Sequence, residues 1–363
     1  MGCGGNLGIP PCATYFQRIR NTRFPSGTQG MPRNRVTWTR QEWARRCFVW
    51  PLEALGLLLV LSLLATLPRR AAASLGGALS GFFGPRLSKQ HARAMGRNLS
   101  IAFPSMPAEE RKVLERRIWR HFGQVLSSYS HLPPLLRRGD ADHTIEVEGA
   151  EHLAEAARSG GFLMVGAHYG HWELTGCYAA IKGYPMSALY TPESNPWIDR
   201  IIGLLRNKAS RESELIARGP AAVRGMMDSL KRGRGLFILV DQRVDDGEWL
   251  SFFGQPAQTT TTPARLARRF NCPILLGRSI LLPGGRYRIA FYEPIRPRPG
   301  EDTDADILRM TRSINAAFES WIAEHPEQWL CMKRRWPKLR AAGSPLAKSA
   351  AQNEPRPAPA SID

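Results

Sequence analysis

From Cys47 to Leu67 the chain reads CFVWPLEALGLLLVLSLLATL, and no other stretch restricts its fold so much. Glu53 is the only charge in it. Counted from Ala54 the run is shorter than the ~20 residues that cross a bilayer as a helix; with Cys47 to Glu53 included the length suffices. Arg45 and Arg46 precede it and Arg69 and Arg70 follow it, so the positive-inside rule favours neither orientation. No small-residue cleavage site follows, which argues for a retained anchor over a removed signal peptide. A membrane helix is therefore expected over 47–67. The competing reading is a buried core helix.

Residues 1–46 form a basic lead, and its first thirty, rich in Gly and Pro with little periodicity, are expected to be disordered. Between Arg18 and Arg46 the only acidic residue is Glu42. Such a lead beside an apolar helix suits an anionic membrane face. The whole chain carries 50 Lys+Arg against 31 Asp+Glu, a formal net charge of +19, which bears on partners and not on fold. Nucleic acid, anionic lipid and an acidic protein all fit. Basic residues are spread along the chain and no nucleic-acid module is recognisable, so nucleic acid ranks last. The six cysteines are scattered and no two stand at CxxC spacing. A disulfide framework or a structural zinc site is not expected.

Residues 71–140 read as helical, with Val113, Ile118, Phe122 and Val125 at helical spacing. Beyond Glu146 strands and helices alternate. Gly161–Ala167, Met186–Tyr190, Gly235–Val240, Pro273–Gly277 and Arg286–Tyr292 are strand candidates. Helices are expected up to about Ile181, after Asn195-Pro196, over Thr262–Arg269 and over Asp304–Ala323. Asn195 supplies an N-cap and Pro196 the first helical position. The alternation predicts an α/β domain over 71–340, its mainly parallel sheet flanked by helices. The Ala-, Pro- and Ser-rich residues 341–363 have the composition of a disordered tail.

The segment Ala167-His168-Tyr169-Gly170-His171-Trp172-Glu173 lies where an apolar strand gives way to a helix. Functional groups gather at such carboxyl ends in open α/β sheets. On a continuous helix His168 and Glu173 would point ~140° apart, from ~100° per residue; Gly170 permits the bend that would let them meet. A carboxylate behind an imidazole fixes its tautomer and raises its basicity, as nucleophile activation requires. Two blander readings stand beside it: a structural histidine near a helix start, or His168, His171 and Glu173 as part of a metal site.

Taken with its surroundings, the His168…Glu173 block resembles that of the lipid A biosynthesis (late) acyltransferases, the lauroyl and myristoyl transferase type within the HxxxxD/E acyltransferases. Asn98-Leu99 with Ala102-Phe103-Pro104 is similar to the family's upstream block. Asn195-Pro196 with Asp199 and Arg206 is similar to its NP…D…R block, Val240-Asp241-Gln242 with Phe252-Phe253-Gly254 and Thr259–Thr262 to its DQ…FFG…T block, and Pro326-Glu327-Gln328-Trp329 with Arg334-Arg335-Trp336 to its closing PEQW…RR segment. The blocks stand in the family's order over roughly residues 48–340. The position of His171 is Asn in many members.

The resemblance implies a glycerolipid acyltransferase-like fold and a single-pass or monotopic enzyme of the bacterial inner membrane, its catalytic domain on the cytoplasmic side. It implies transfer of a fatty acyl chain from an acidic acyl carrier protein to a hydroxyl of a phosphorylated lipid A precursor, with no cofactor. His168 would be the general base and Glu173 its partner. Arg206 would bind phosphate or stabilise oxyanion charge, Asp241 would support the site, and Asn195, Gly254 and Thr259 would shape the substrate pocket. An acyl-CoA donor with another phospholipid or glycolipid acceptor, and a metal-dependent hydrolase, are the alternatives. Residue by residue, Arg206 could instead complement a helix C-terminus, Asp241 could cap a turn and the threonines could cap the next helix.

Overall fold

A computed structural model describes residues 45–138, 143–210 and 213–337. The expectations for residues 1–30 and 341–363 lie outside the described residues. Contacts divide the chain into two compact units, the second of which begins at Phe48 and holds every strand and helix named here except the start of the turn at Arg45–Val49.

The apolar run is a helix, as expected: a π-turn at Arg45–Val49 leads into α1, Trp50–Thr66. The lead-in continues through α2 (Arg69–Leu87), α3 (Lys89–Ala102), α4 (Ala108–Ser128) and α5 (Leu132–Arg138), with a 3-10 turn at Tyr129–His131. The alternating part then runs β1 (Ile145–Glu148), α6 (Ala150–Arg158), β2 (Phe162–Gly166), α7 (Trp172–Ile181), β3 (Met186–Tyr190), α8 (Pro196–Ala209), β4 (Ser213–Ala217), α9 (Ala222–Lys231) and β5 (Gly235–Leu239). A hairpin of β6 (Glu248–Phe252) and β7 (Gln255–Thr259) follows, then α10 (Thr262–Phe270), β8 (Ile274–Leu281), β9 (Tyr287–Phe291) and α11 (Thr303–Glu324).

Seven strands form one sheet in the order β1-β9-β8-β2-β5-β3-β4. Every neighbouring pair in it is parallel except β8 with β9. The fold is α/β, a mainly parallel sheet flanked by helices. In β2 the side chains alternate between two cores: Leu163 and Val165 enter one, Phe162 and Met164 the other. A strand covered on both faces reads as a continuous apolar run, which is why Phe-Leu-Met-Val shows no alternation.

β1, β4 and the β6–β7 hairpin are not among the strands expected from the sequence. β7 is QPAQT, a poor strand sequence by composition. The turn between its two strands is Phe253-Gly254, at φ 52° and φ 66°. Positive φ at both central residues is the turn that matches strand twist, so Gly254 is explained here by backbone geometry.

Candidate active site

The register of the two central strands builds the site. β2 and β5 are parallel neighbours with Gly166 opposite Leu239. His168 and Asp241 each lie two residues beyond that pair, so they leave the sheet side by side at its carboxyl edge. His168 Nδ1 and Asp241 Oδ1 are 2.7 Å apart. The other carboxylate oxygen, Oδ2, accepts from the indole Nε1 of Trp329 at 3.2 Å. Asp241 is buried, whereas the His168 side chain keeps 26% of its surface.

Burial pushes the Asp241 carboxyl up, but the facing His168 and the bonds from His168 and Trp329 outweigh it and hold the group below the usual carboxylate range. An ionised Asp241 can only accept, so Nδ1 of His168 carries the hydrogen, and in the neutral imidazole Nε2 carries the lone pair. The Gln242 amide nitrogen stands 3.3 Å from that Nε2.

The closing segment clamps this pair. The amide of Leu330 donates to the His168 carbonyl at 2.8 Å, and the amide of Gly170 donates to the Gln328 carbonyl at 2.9 Å. Gly170 lies at φ 56°, and a Cβ there would collide with the Ser279 carbonyl. The bend expected at Gly170 is present, but it serves another purpose. Glu173 does not back His168; that orienting place belongs to Asp241, 73 residues away in sequence.

Glu173 turns instead to Arg206 and Tyr129. Its Oε1 accepts from Arg206 Nε at 3.0 Å and Nη2 at 2.5 Å, and from the Tyr129 hydroxyl at 2.9 Å. Burial raises the Glu173 carboxyl, and Arg206 with the hydrogen bonds more than offsets this, leaving it below the usual range. The α7 helix carries Glu173 and α8 carries Arg206, so the pair bolts two helices together. Removing one partner of a buried pair leaves a bare charge, at a cost of about 3–5 kcal/mol. Arg206→Ala is expected to destabilise the fold by that amount, measured as a drop in unfolding free energy or thermal midpoint. A change below ~1 kcal/mol would mean that the pair is effectively solvated.

His171 faces inward. It is fully buried, its Nε2 lies 2.7 Å from the Ser128 hydroxyl, and its ring stacks on Tyr129. Among the described residues no three His, Cys, Asp or Glu side chains converge to hold a metal. Asn195 caps α8 through its carbonyl oxygen, at 3.0 Å from the Trp197 amide, and its amide is engaged by Trp50 and Glu53 of α1. Thr259 accepts from the buried Arg335 at 2.6 Å. Neither residue lies among those lining the recess behind Glu173 and Arg206. That recess is walled by Gly176, Cys177, Met186, Ala188, Asn207, Ser210, Ser213, Leu215 and Phe237.

Trp329 and Gln242 are not among the site residues expected from the sequence. Each stood inside a recognisable block, but nothing in spacing alone brings residue 329 to residue 241.

The model of the family described as "Bacterial lipid A biosynthesis acyltransferase" matches residues 44–338. A lipid A biosynthesis lauroyltransferase of Escherichia coli K12 is 29% identical over 295 residues, 79% of this chain and 91% of that protein. The palmitoleoyltransferase of the same organism is 25% identical over 291 residues, 78% of this chain and 90% of that protein. A lipid A biosynthesis acyltransferase of Haemophilus influenzae is 22% identical over 282 residues, 74% and 83% of the two chains.

Proposed function

The chain belongs to the bacterial lipid A biosynthesis acyltransferase family, and from that membership we propose a specific reaction: transfer of an acyl chain from an acyl carrier protein thioester to a hydroxyl of a phosphorylated lipid A precursor, with His168 as the base. The observation that carries the reading is the pair at the sheet's carboxyl edge, a part-exposed imidazole held at Nδ1 by a buried carboxylate.

In the proposed step the acceptor hydroxyl displaces the Gln242 amide from His168 Nε2. The imidazole takes its proton as the oxygen attacks the thioester carbon. A tetrahedral oxyanion forms, and Gln242, once freed, is placed to donate to it. The carbon–sulfur bond then breaks, and the imidazolium returns the proton to the departing thiolate. Asp241 holds the tautomer and stabilises the transient charge without taking the proton itself. The excess of basic residues suits both an acidic carrier and an anionic acceptor.

The direct test is reconstitution of the purified chain with acyl carrier thioester or acyl-CoA, against a lipid A precursor or a glycerophospholipid. Mass spectrometry of the products is expected to find the acyl chain on the lipid A precursor, from the carrier protein. Transfer only from acyl-CoA, or only onto glycerophospholipid, would refute the specific reading.

Trp329 acts through Asp241 and is a positioning residue. Trp329→Phe removes the hydrogen bond to a charged group, worth about 1.5–3 kcal/mol. The expected result is a kcat lowered at least tenfold, with the acid limb of the pH–rate profile displaced. An unchanged profile with only a lower thermal midpoint would reduce Trp329 to packing.

A further inference from the structure

We propose that the chain lies in one leaflet of the bilayer and does not cross it. The basis is how α1 is held. At its start, the Asn195 amide donates to the Trp50 carbonyl at 2.8 Å and to Glu53 Oε2 at 3.0 Å. Just past its end, the Leu67 carbonyl is bonded by His131 Nε2 at 3.0 Å. Asn195 opens α8 and His131 ends the turn after α4, so both grips belong to the same folded domain.

Between Trp50 and Leu67 a helix extends about 25 Å, from ~1.5 Å per residue. Ala54, Leu61 and Leu64 are buried, with Leu57 half-buried between them. That spacing is a single helical stripe, and it runs from one grip to the other. The helix lies lengthwise on the domain. The next residues come back at once, because Arg69 donates to the Gly285 carbonyl.

A spanning helix would put these two grips at opposite faces of the membrane. The elements packed along it would then enter the hydrocarbon with it. One is α8, whose Asp199, Arg200 and Lys208 are the kind of side chain that lipid excludes. Lying flat, the helix gives lipid only its outer face, where Leu52, Leu55, Leu58, Leu59 and Leu63 are exposed. Water does not tolerate such a surface.

The occupant is an anionic leaflet, because the charges fit one. The helix is bracketed in sequence by Arg45-Arg46 and Arg69-Arg70. A spanning segment sets its orientation by an unequal share of such residues. A helix with both ends at one headgroup layer wants them at both ends. The second helix adds exposed Leu75, Leu79, Phe82 and Phe83, followed by Arg86 and Lys89.

The test uses the full chain in its bacterial membrane, with Cys3, Cys12 and Cys47 replaced by Ser. A single cysteine is introduced before the helix (Asn34→Cys) or after it (Lys89→Cys), and each chain is probed with a membrane-impermeant maleimide in intact and in lysed spheroplasts. Both cysteines are expected to label from the same face. Labelling from opposite faces overturns the proposal. So does recovery of the chain as a soluble dimer in which cysteines at Leu52, Leu58 and Leu63 are protected without lipid, since a second copy would then cover the face. The readout does not use turnover, so the acyl-transfer reading stands or falls separately.

Discussion

A chain carrying Asp241→Asn is expected to turn over about 10²–10⁴-fold more slowly than the parent, nearly as slowly as His168→Ala, since general-base catalysis contributes on that order. The reason is tautomeric. Trp329 Nε1 donates to Oδ2 of Asp241, so an asparagine at 241 would place its oxygen there. Its amide nitrogen would then face His168 Nδ1, where it can only donate. The imidazole would have to accept at Nδ1 and carry its hydrogen on Nε2, the nitrogen that must take the acceptor's proton. The lone pair needed for attack would be gone. Because the two residues act as one unit, the double variant is expected to be little worse than either single one. Single-turnover transfer, with folded protein quantified separately, measures this. Glu173→Gln is expected to register first in stability. A silent Asp241→Asn beside a folded but inactive Glu173→Gln would return the orienting role to Glu173.

That contrast also marks how far the sequence could be read. The core strands are visible as short apolar runs, because a strand buried on both faces leaves no polar positions. The cap at Asn195 and the bend at Gly170 follow from the chemistry of single residues. Strand order does not. Nothing local in FLMVG or GLFIL says that β2 lies beside β5, and without that neighbour Asp241 has no reason to approach His168. The nearby Glu173 therefore looked like the natural partner. Five residues of spacing carry that suggestion, but the helix that starts at Trp172 carries Glu173 to Arg206 and Tyr129 instead. The closing block was recognisable as a pattern while its function was hidden. Asn98 donates to the Cys331 and Lys333 carbonyls and accepts from the Arg335 amide. An upstream helix thereby fixes the segment that brings Trp329 to the carboxylate, a contact spanning more than two hundred residues.

Stability is expected to fall steeply as pH drops from about 6.5 to about 4, because of two histidines that the reaction does not use. Burial lowers the imidazole of His121 to about 4, against the opposing effect of its bond to the Gly170 carbonyl. Burial likewise lowers His171 to about 4, only partly countered by Glu173. Both stay neutral in the folded chain through a range in which an unfolded chain, with imidazoles near pH ~6.5, takes up protons. The unfolded state binds the extra protons, so each histidine withdraws stability as pH falls through that window. At ~1.4 kcal/mol per pH unit, each withdraws roughly 3 kcal/mol by its lower end. The depressed carboxyls of Asp241 and Glu173 have the same sign but act lower. Their stabilisation is complete above the ordinary carboxylate range and is lost only as pH falls through their lowered values. The two windows are therefore separable. His171→Asn keeps a polar group near Ser128 and cannot titrate, so it is expected to flatten about half of the upper window and leave the lower one in place. Thermal midpoints of both chains, taken in half-unit steps from pH 7.5 to 3.5 in one detergent, give the comparison. Parallel curves for parent and variant would mean that His171 meets water in solution, and that the packing of Ser128, Tyr129 and Tyr287 around it is looser than the structure has it.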